Sequence, residues 1–396
     1  MLLHFFQQGL AAVNGRSCVQ AALRLPVFPG EVYLVAIGKA AAAMTAGAID
    51  AISDQVTAGL LITRHGYQES SAHADQRIVS LEAGHPLPDE QSLAAGNALR
   101  LFMANAPADA HFLFLISGGA SSLVDVPVEG VSLANLRSLT RWLMASGLPI
   151  DAVNRVRTVF SQIKGGRLLD DLAGRNAELL LISDVPGDVP AHIGSGLLLP
   201  PVPCPLPELP AQFADLPRST PTNTDSGNVH TRIIATNHQA MQAVKAAAAS
   251  AGRQTYLHAL LPASATAACG EKISSFLMEA PPGVHVWGGE TTVRLPDHPG
   301  RGGRNQLLAL AVARRIANKD GIYLLAAGTD GSDGTTSDAG ALVDGGSIMR
   351  GEDGGFDATD CLTRADAGTF LEASSDLIYT GPTGTNVMDL VIALKE

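Results

Sequence analysis

One stretch constrains the fold more than any other: Phe112-Leu113-Phe114-Leu115-Ile116-Ser117-Gly118-Gly119-Ala120-Ser121-Ser122-Leu123. Its five consecutive apolar residues suit a parallel strand covered on both faces. Gly118 and Gly119 remove Cβ atoms where the chain turns, so a ligand can approach the backbone. Ser121 and Ser122 then open a helix, whose free N–H groups and dipole favour an anion. Two readings stand side by side: a phosphate cradle, and an ordinary strand-to-helix turn of an α/β domain.

The same strand, glycine turn, helix order recurs along all 396 residues, which is long enough for two domains. Val32–Ile37 runs into Gly38-Lys39 and an Ala-rich helix to Ile52. Asp89 or Ser92 is placed to cap the helix after the rigid turn Gly84–Asp89. A helix is expected over 151–164, with Asn154, Arg157, Ser161 and Lys164 as a polar stripe. Gly165-Gly166 closes it, with Arg167 beyond, and a strand over 178–182 ends in Ser183–Asp188. Eight of the 22 residues from Pro200 to Pro221 are proline, the composition of a linker. We therefore expect an N-terminal domain over 1–208, a linker over 209–230 and a C-terminal domain over 231–396. The second half brings strands at 231–235, 284–290, 291–295 and 322–326, and helices at 238–250, after Asn305 to about Ala317, and after Asn386. That last helix is expected to pack back on the first domain.

The turns carry most charges not assigned to solvated helix faces. Lys39, Arg157, Lys164, Arg167, Arg301 and Arg304 are basic; Asp184, Asp188, Glu290, Asp330 and Asp333 are acidic. With only 16% charged residues overall, this alternation suggests a polyphosphate with a divalent cation. A net charge of −11 argues against general nucleic-acid binding. No apolar run is long enough to span a membrane, and Met1–Leu10 reads as a helix start without a basic signal-peptide head. Cys18, Cys204, Cys269 and Cys361 form no metal or disulfide pattern, so a reducing cytoplasm is expected. GxxxxGK[ST], a GxGxxG after a strand, and GxSxG are all missing, which removes the P-loop, nicotinamide Rossmann and α/β-hydrolase readings. His85, His192 and His238 read as structural or peripheral.

Nine short motifs in order resemble the class II glycerate 2-kinases, the MOFRL family. They are 36–40, 84–89, 116–123, 154–168, 183–187, Gly288-Gly289-Glu290-Thr291, Gly302–Gln306, 328–334 and Gly381–Asn386. The resemblance implies ATP-dependent phosphorylation of D-glycerate to 2-phosphoglycerate with Mg²⁺. It implies a Rossmann-like doubly wound parallel sheet, a smaller α/β domain and an active site in the interdomain cleft. The family's essential lysine and arginine fall on Lys39 and Arg304; Asp184 and Asp330 join them as catalytic candidates. Phosphate and nucleotide contacts fall on Ser117, Gly118, Gly119, Ser121, Ser122, Lys164, Gly165, Gly166, Gly289, Glu290, Thr385 and Asn386. Substrate contacts fall on Asn154, Arg157 and Arg301, and metal contacts on Asp184, Asp188, Asp330 and Asp333. The chain departs from the family pattern at Leu197–Pro201 and Thr335–Asp338, which bears on substrate fit and hinge geometry. Partners are small molecules, with neither nucleic acid nor membrane, and a homo-oligomer is left open. The alternatives are an NAD(P)H-dependent hydroxypyruvate reductase, as members are often labelled, and a non-catalytic two-domain anion-binding protein.

Overall fold

The computed structural model describes residues 1–24, 28–67, 75–220, 228–262 and 265–396. Its contacts divide the chain into two units: Asn14–Ala235, and Met1–Val13 together with Thr236–Glu396.

The first unit is built on six parallel strands: β1 (Val32–Ile37), β2 (Val56–Arg64), β3 (Ile78–Ala83), β4 (His111–Ile116), β5 (Ala177–Ile182) and β6 (Val229–Ala235). Their order is β3-β2-β1-β4-β5-β6, so the direction of winding reverses between β1 and β4. In such sheets the crevice beyond that reversal is where ligands bind. Phe112–Ile116 are all buried, as expected for a strand covered on both faces. Helix α3 (Ala41–Ile52) packs on β1 and β2, and α4 (Glu90–Asn105) on β2 and β3. Asp89 is the N-cap of α4, and its carboxylate and the Ser92 hydroxyl close a reciprocal capping box.

A second apolar cluster joins α6 (Leu133–Ala145) and α7 (Ile150–Val159) through Leu136, Leu139, Val156 and Phe160. The proline-rich stretch packs into it through Leu206, Leu209, Phe213 and Leu216, so its described part is not a linker. Proline removes helix and ladder hydrogen bonds, but not the capacity of interleaved leucines to bury themselves. The division falls at 13/14 and 235/236, not at 208/209 and 230/231; residues 221–227 lie outside the described residues. Helix α7 also ends at Val159, short of Lys164. Beyond it the backbone bonds sideways: Gln162 N donates to Val126 O at 2.7 Å, and Val128 N to Phe160 O at 3.0 Å. Ser161 and Lys164 therefore leave the helical stripe, and Gly165 and Gly166 turn the chain at φ 66° and 81°.

The second unit holds a mixed sheet: β7 (Thr255–Leu257), β8 (Gly283–Gly289), β9 (Ile322–Gly328), β10 (Gly340–Asp344), β11 (Leu377–Ile378) and β12 (Asp389–Lys395). The order is β11-β10-β9-β12-β8-β7, with β12 antiparallel to both neighbours. Here the expected last helix is a central strand. The run Leu390–Leu394 is apolar throughout, a pattern that a buried helix and a strand buried on both faces share. No strand forms over 291–295, where Thr292 makes only an isolated bridge to Ala265. Helix α12 (Arg304–Ile316) is buried along nearly its whole length, with arginines at its ends. The chain's first helix, α1 (Leu2–Ala12), packs on α10 (Asn237–Ser250) and β12.

A Cβ placed on Gly9 of α1 would meet Val244 Cγ2 at 3.0 Å and Ala240 O at 3.3 Å. Gly9→Val is thus expected to destabilise the second unit by about 1–3 kcal/mol through overpacking. Urea unfolding followed by Trp287 fluorescence in a Trp142→Phe background measures it; an unchanged midpoint would contradict the packing of α1.

Candidate active site

In the first unit the turn after β1 and the turn after β4 meet at the winding reversal. Lys39 N donates to Gly118 O at 2.9 Å, and Ala40 N donates to the buried Ser117 hydroxyl at 3.1 Å. Gly38 stands at φ 133° and Gly119 at φ 90°, conformations that favour glycine. A Cβ on Gly119 would lie 3.0 Å from His85 Cδ2 and 3.4 Å from Lys39 Cγ. Lys39 and His85 therefore flank the glycine turn that the sequence marked out. His85, set aside as peripheral, was missed because its closeness comes from a separate loop after β3. Helix α5 (Ala120–Leu123) is one turn long, and Ser122 Oγ donates to Gly119 O at 3.2 Å. Ser121 Oγ shares a 2.8 Å hydrogen bond with Ser195 Oγ, and Ser195 donates to Asn154 Oδ1 at 2.9 Å. Asn154 is thereby a buried brace behind the turn.

Beside the turn opens a cleft of about 390 Å³, part of it open to solvent. Ser121, Ser122, Asp125, Leu139, Arg157 and Lys164 line it. Lys164 is 1% exposed and pairs with Asp125, which also accepts from Ser161 Oγ at 2.6 Å. Burial lowers the Lys164 pKa, and Asp125 opposes that shift. Burial likewise lowers the Arg157 pKa, opposed by the charges of Asp184 and Asp125. That coupling brings Asp184 into the neighbourhood of Arg157. Asp188 stands at φ 52° in the same turn after β5. Asp125 carried no sequence signal, because it follows neither a strand nor a glycine turn.

In the second unit Arg304 opens α12 and pairs with Glu290 at 2.6 Å and Asp389 at 3.5 Å. Burial would lower its pKa, but Asp389, Glu290 and Asp333 outweigh it and hold the pKa above the ordinary value. Burial raises the pKa of Asp389, and the charge of Arg304 opposes it. Asp333 is buried at the start of α12 and accepts from Gln306 N at 2.8 Å and Asn305 N at 3.1 Å. Its carboxylate thus closes the first turn of the helix. Burial pushes it up to about 6, against those donors and Arg304. Asp330 Oδ1 accepts from Ser332 N at 2.9 Å. Arg301 is held by Asp338 at 2.7 Å and Glu372 at 2.6 Å, and Gly289 stands at φ 111° beside Leu261. Thr385 and Asn386 are buried in the loop before β12, where Thr383 Oγ1 bonds Thr329 O. Among the described residues no three His, Cys, Asp or Glu side chains are grouped as a metal centre, and no helix is long and apolar enough to cross a membrane.

A parallel 3-2-1-4-5-6 sheet with a lysine-flanked glycine turn at its reversal, joined in sequence to a smaller mixed α/β unit, defines a Rossmann-like two-domain protein. The family model described as a domain of unknown function (DUF4147) matches residues 1–204, and that of the MOFRL family matches residues 283–389. A glycerate 2-kinase of Pyrococcus horikoshii is 36% identical, covering 92% of this chain and 87% of that one. A D-glycerate 2-kinase of Thermotoga maritima is 34% identical, covering 92% and 90%. An Agrobacterium vitis relative, 35% identical over 91% of this chain and 98% of its own, carries a provisional hydroxypyruvate reductase name. The crystal structure of a glycerate kinase from Thermotoga maritima matches with a TM-score of 0.83 and 31% identity, covering 100% of this chain and 98% of that one. The chain belongs to the MOFRL family of class II glycerate 2-kinases.

Asp333 provides a test of the electrostatics. A carboxyl raised from 3.8 to about 6 contributes stability that is fully present below pH 3.8 and lost as pH rises through about 6. Carboxyl NMR of Asp333 should titrate near that pH. A midpoint below 4 would mean that the helix N–H donors outweigh burial.

Proposed function

We propose that this chain transfers the γ-phosphoryl group of ATP to the 2-hydroxyl of D-glycerate. The hydroxyl oxygen bonds to phosphorus, the bond to the ADP oxygen breaks, and the hydroxyl proton is released to solvent. The observation that carries this reading is Lys39 beside the open glycine turn at the sheet's winding reversal. The kinase relatives support it over nearly the full chain.

Phosphoryl transfer through a loose transition state calls for positioning and charge stabilisation more than for covalent chemistry by the protein. In this reading the Ser117–Ser122 turn offers backbone N–H groups to a phosphate, while its serine hydroxyls brace the turn. The turn itself has neither a cation nor a carboxylate, so Lys39 supplies the positive charge there. Arg304, fixed by Glu290 and Asp389, supplies a second cation with a planar donor fork. For Mg²⁺ on the nucleotide phosphates, Asp184 of the first unit and Asp330 of the second are each a candidate carboxylate. One or two carboxylates suffice, because Mg²⁺ keeps several waters and takes phosphate oxygens. Asp333 is given no metal role, since helix N–H groups occupy its oxygens. Four cysteines without a disulfide suit a reducing, cytoplasmic compartment.

The reductase name borne by some relatives requires a nicotinamide, and the turn after β1 reads Gly38-Lys39-Ala40 in place of the dinucleotide fingerprint. A coupled assay with ATP, Mg²⁺ and D-glycerate should form 2-phosphoglycerate; NADH oxidation by hydroxypyruvate without any phosphorylated product would overturn the kinase reading. Lys39→Ala and Arg304→Ala should each lower turnover at least tenfold, or about 1.4 kcal/mol. Wild-type rates in either variant would remove that residue from the site.

A further inference from the structure

The cleft beside the glycine turn holds two cations in unlike states. Lys164 is matched by Asp125 in a buried pair. Arg157 lines the same cleft, yet among the described residues it makes no hydrogen bond or close ion pair. The charges of Asp184 and Asp125 favour its charged form, while Lys164 lies close enough to repel it. Arg157 is partly buried, and burial disfavours its charge, so an anion bonded to its donors would offset that cost. Leu136, Leu139 and Leu143 of α6 also line the cleft, with Thr140 among them. Their apolar side chains lower the local dielectric and so strengthen a charged hydrogen bond formed beside them.

We propose that this cleft is an oxyanion subsite in which Arg157 holds the carboxylate of the acceptor hydroxy acid, while Asp125 positions Lys164 and cancels its charge. The identity of the acid rests on the kinase reading; the subsite itself does not. Charge count favours a carboxylate over a nucleotide phosphate. One unmatched guanidinium suits a single negative charge and offers a bidentate fork of the right width. A polyphosphate would need more unmatched cations than the cleft provides, since Lys164 is already paired. The placement has a chemical consequence. In a 2-hydroxy acid the hydroxyl sits on the carbon next to the carboxylate. Anchoring the carboxylate on Arg157 therefore holds the reacting hydroxyl one carbon beyond the group bonded to the guanidinium.

Calorimetric titration of the full chain tests this, using D-glycerate, glycerol and MgATP as separate probes. Arg157→Lys keeps the charge but loses the fork; Arg157→Gln loses both. Both variants should weaken D-glycerate binding at least tenfold and leave MgATP affinity within twofold. Glycerol, which has the hydroxyls without the carboxylate, should bind wild type and variants alike. Thermal melting confirms folding, and Arg157→Lys decides the matter if the glutamine variant does not fold. Unchanged glycerate affinity in a folded variant overturns the subsite. So does a loss of MgATP affinity in place of glycerate affinity, which would assign the cleft to phosphate. The kinase reading fails separately: wild type that binds glycerate through Arg157 but forms no phosphorylated product removes the reaction and leaves the subsite standing.

Discussion

The N-terminal unit depends on a junction between two turns. Ala40 N donates to the buried Ser117 hydroxyl, and Lys39 N donates to Gly118 O. These bonds fix the ends of β1 and β4 relative to each other, where the order of the parallel sheet reverses. A parallel sheet needs helical crossovers, and at the reversal the crossovers leave to opposite sides. The backbone there is left without a covering helix, and its polar groups need partners. Ser117 satisfies one donor from the protein itself. Glycines at φ 133° and 90° hold the remaining backbone open, since a Cβ at Gly38 would strike Ser117 and one at Gly119 would press on His85.

Local patterns made most of this fold readable. The strand and glycine boundaries of β1, β4, β5 and β9 follow directly from apolar runs that stop at turns, and the Asp89 cap from its place before an apolar helix face. What escaped was set by distant partners. Helix α7 stops early because Val126 and Val128 offer its next residues backbone bonds from another loop. Leu390–Leu394 became a strand because β8 and β9 stand on either side with unpaired edges. The proline-rich stretch packs because α6 and α7 present a leucine surface to it. The site follows the same rule. Lys39 and the glycine turn were visible as strand ends, whereas Asp125, His85 and Asp389 acquire their roles only through Lys164, Gly119 and Arg304.

The charges in the two units obey a common principle. The chain is poor in charge, yet it buries several ionised groups. A buried ion pair is a weak source of stability, because desolvation offsets most of the attraction. An apolar cluster would serve the packing of α12 at least as well as Arg304 with its carboxylates. The helix is in fact apolar everywhere except its ends. The fixed guanidinium at its start is therefore better explained by what it can hold than by what it stabilises.

Lys164 and Arg157 differ on the same ground. A lysine buried to 1% must be neutralised by proton loss or by a partner, and Asp125 provides the partner. The pair is internally complete, and Ser161 takes up the other carboxylate oxygen. Arg157 differs in kind, because a guanidinium cannot shed its proton at any pH the protein meets. With its charge permanent and its donors unmet by neighbouring side chains, the folded chain carries an unbalanced electrostatic cost at this point. Asp184 reduces that cost from a distance without forming a close pair. A carboxylate bonded to the guanidinium would offset it. In the proposed subsite the arginine would act as a selector: a neutral polyol would gain nothing there, while an acid of the right length would gain a bidentate bond.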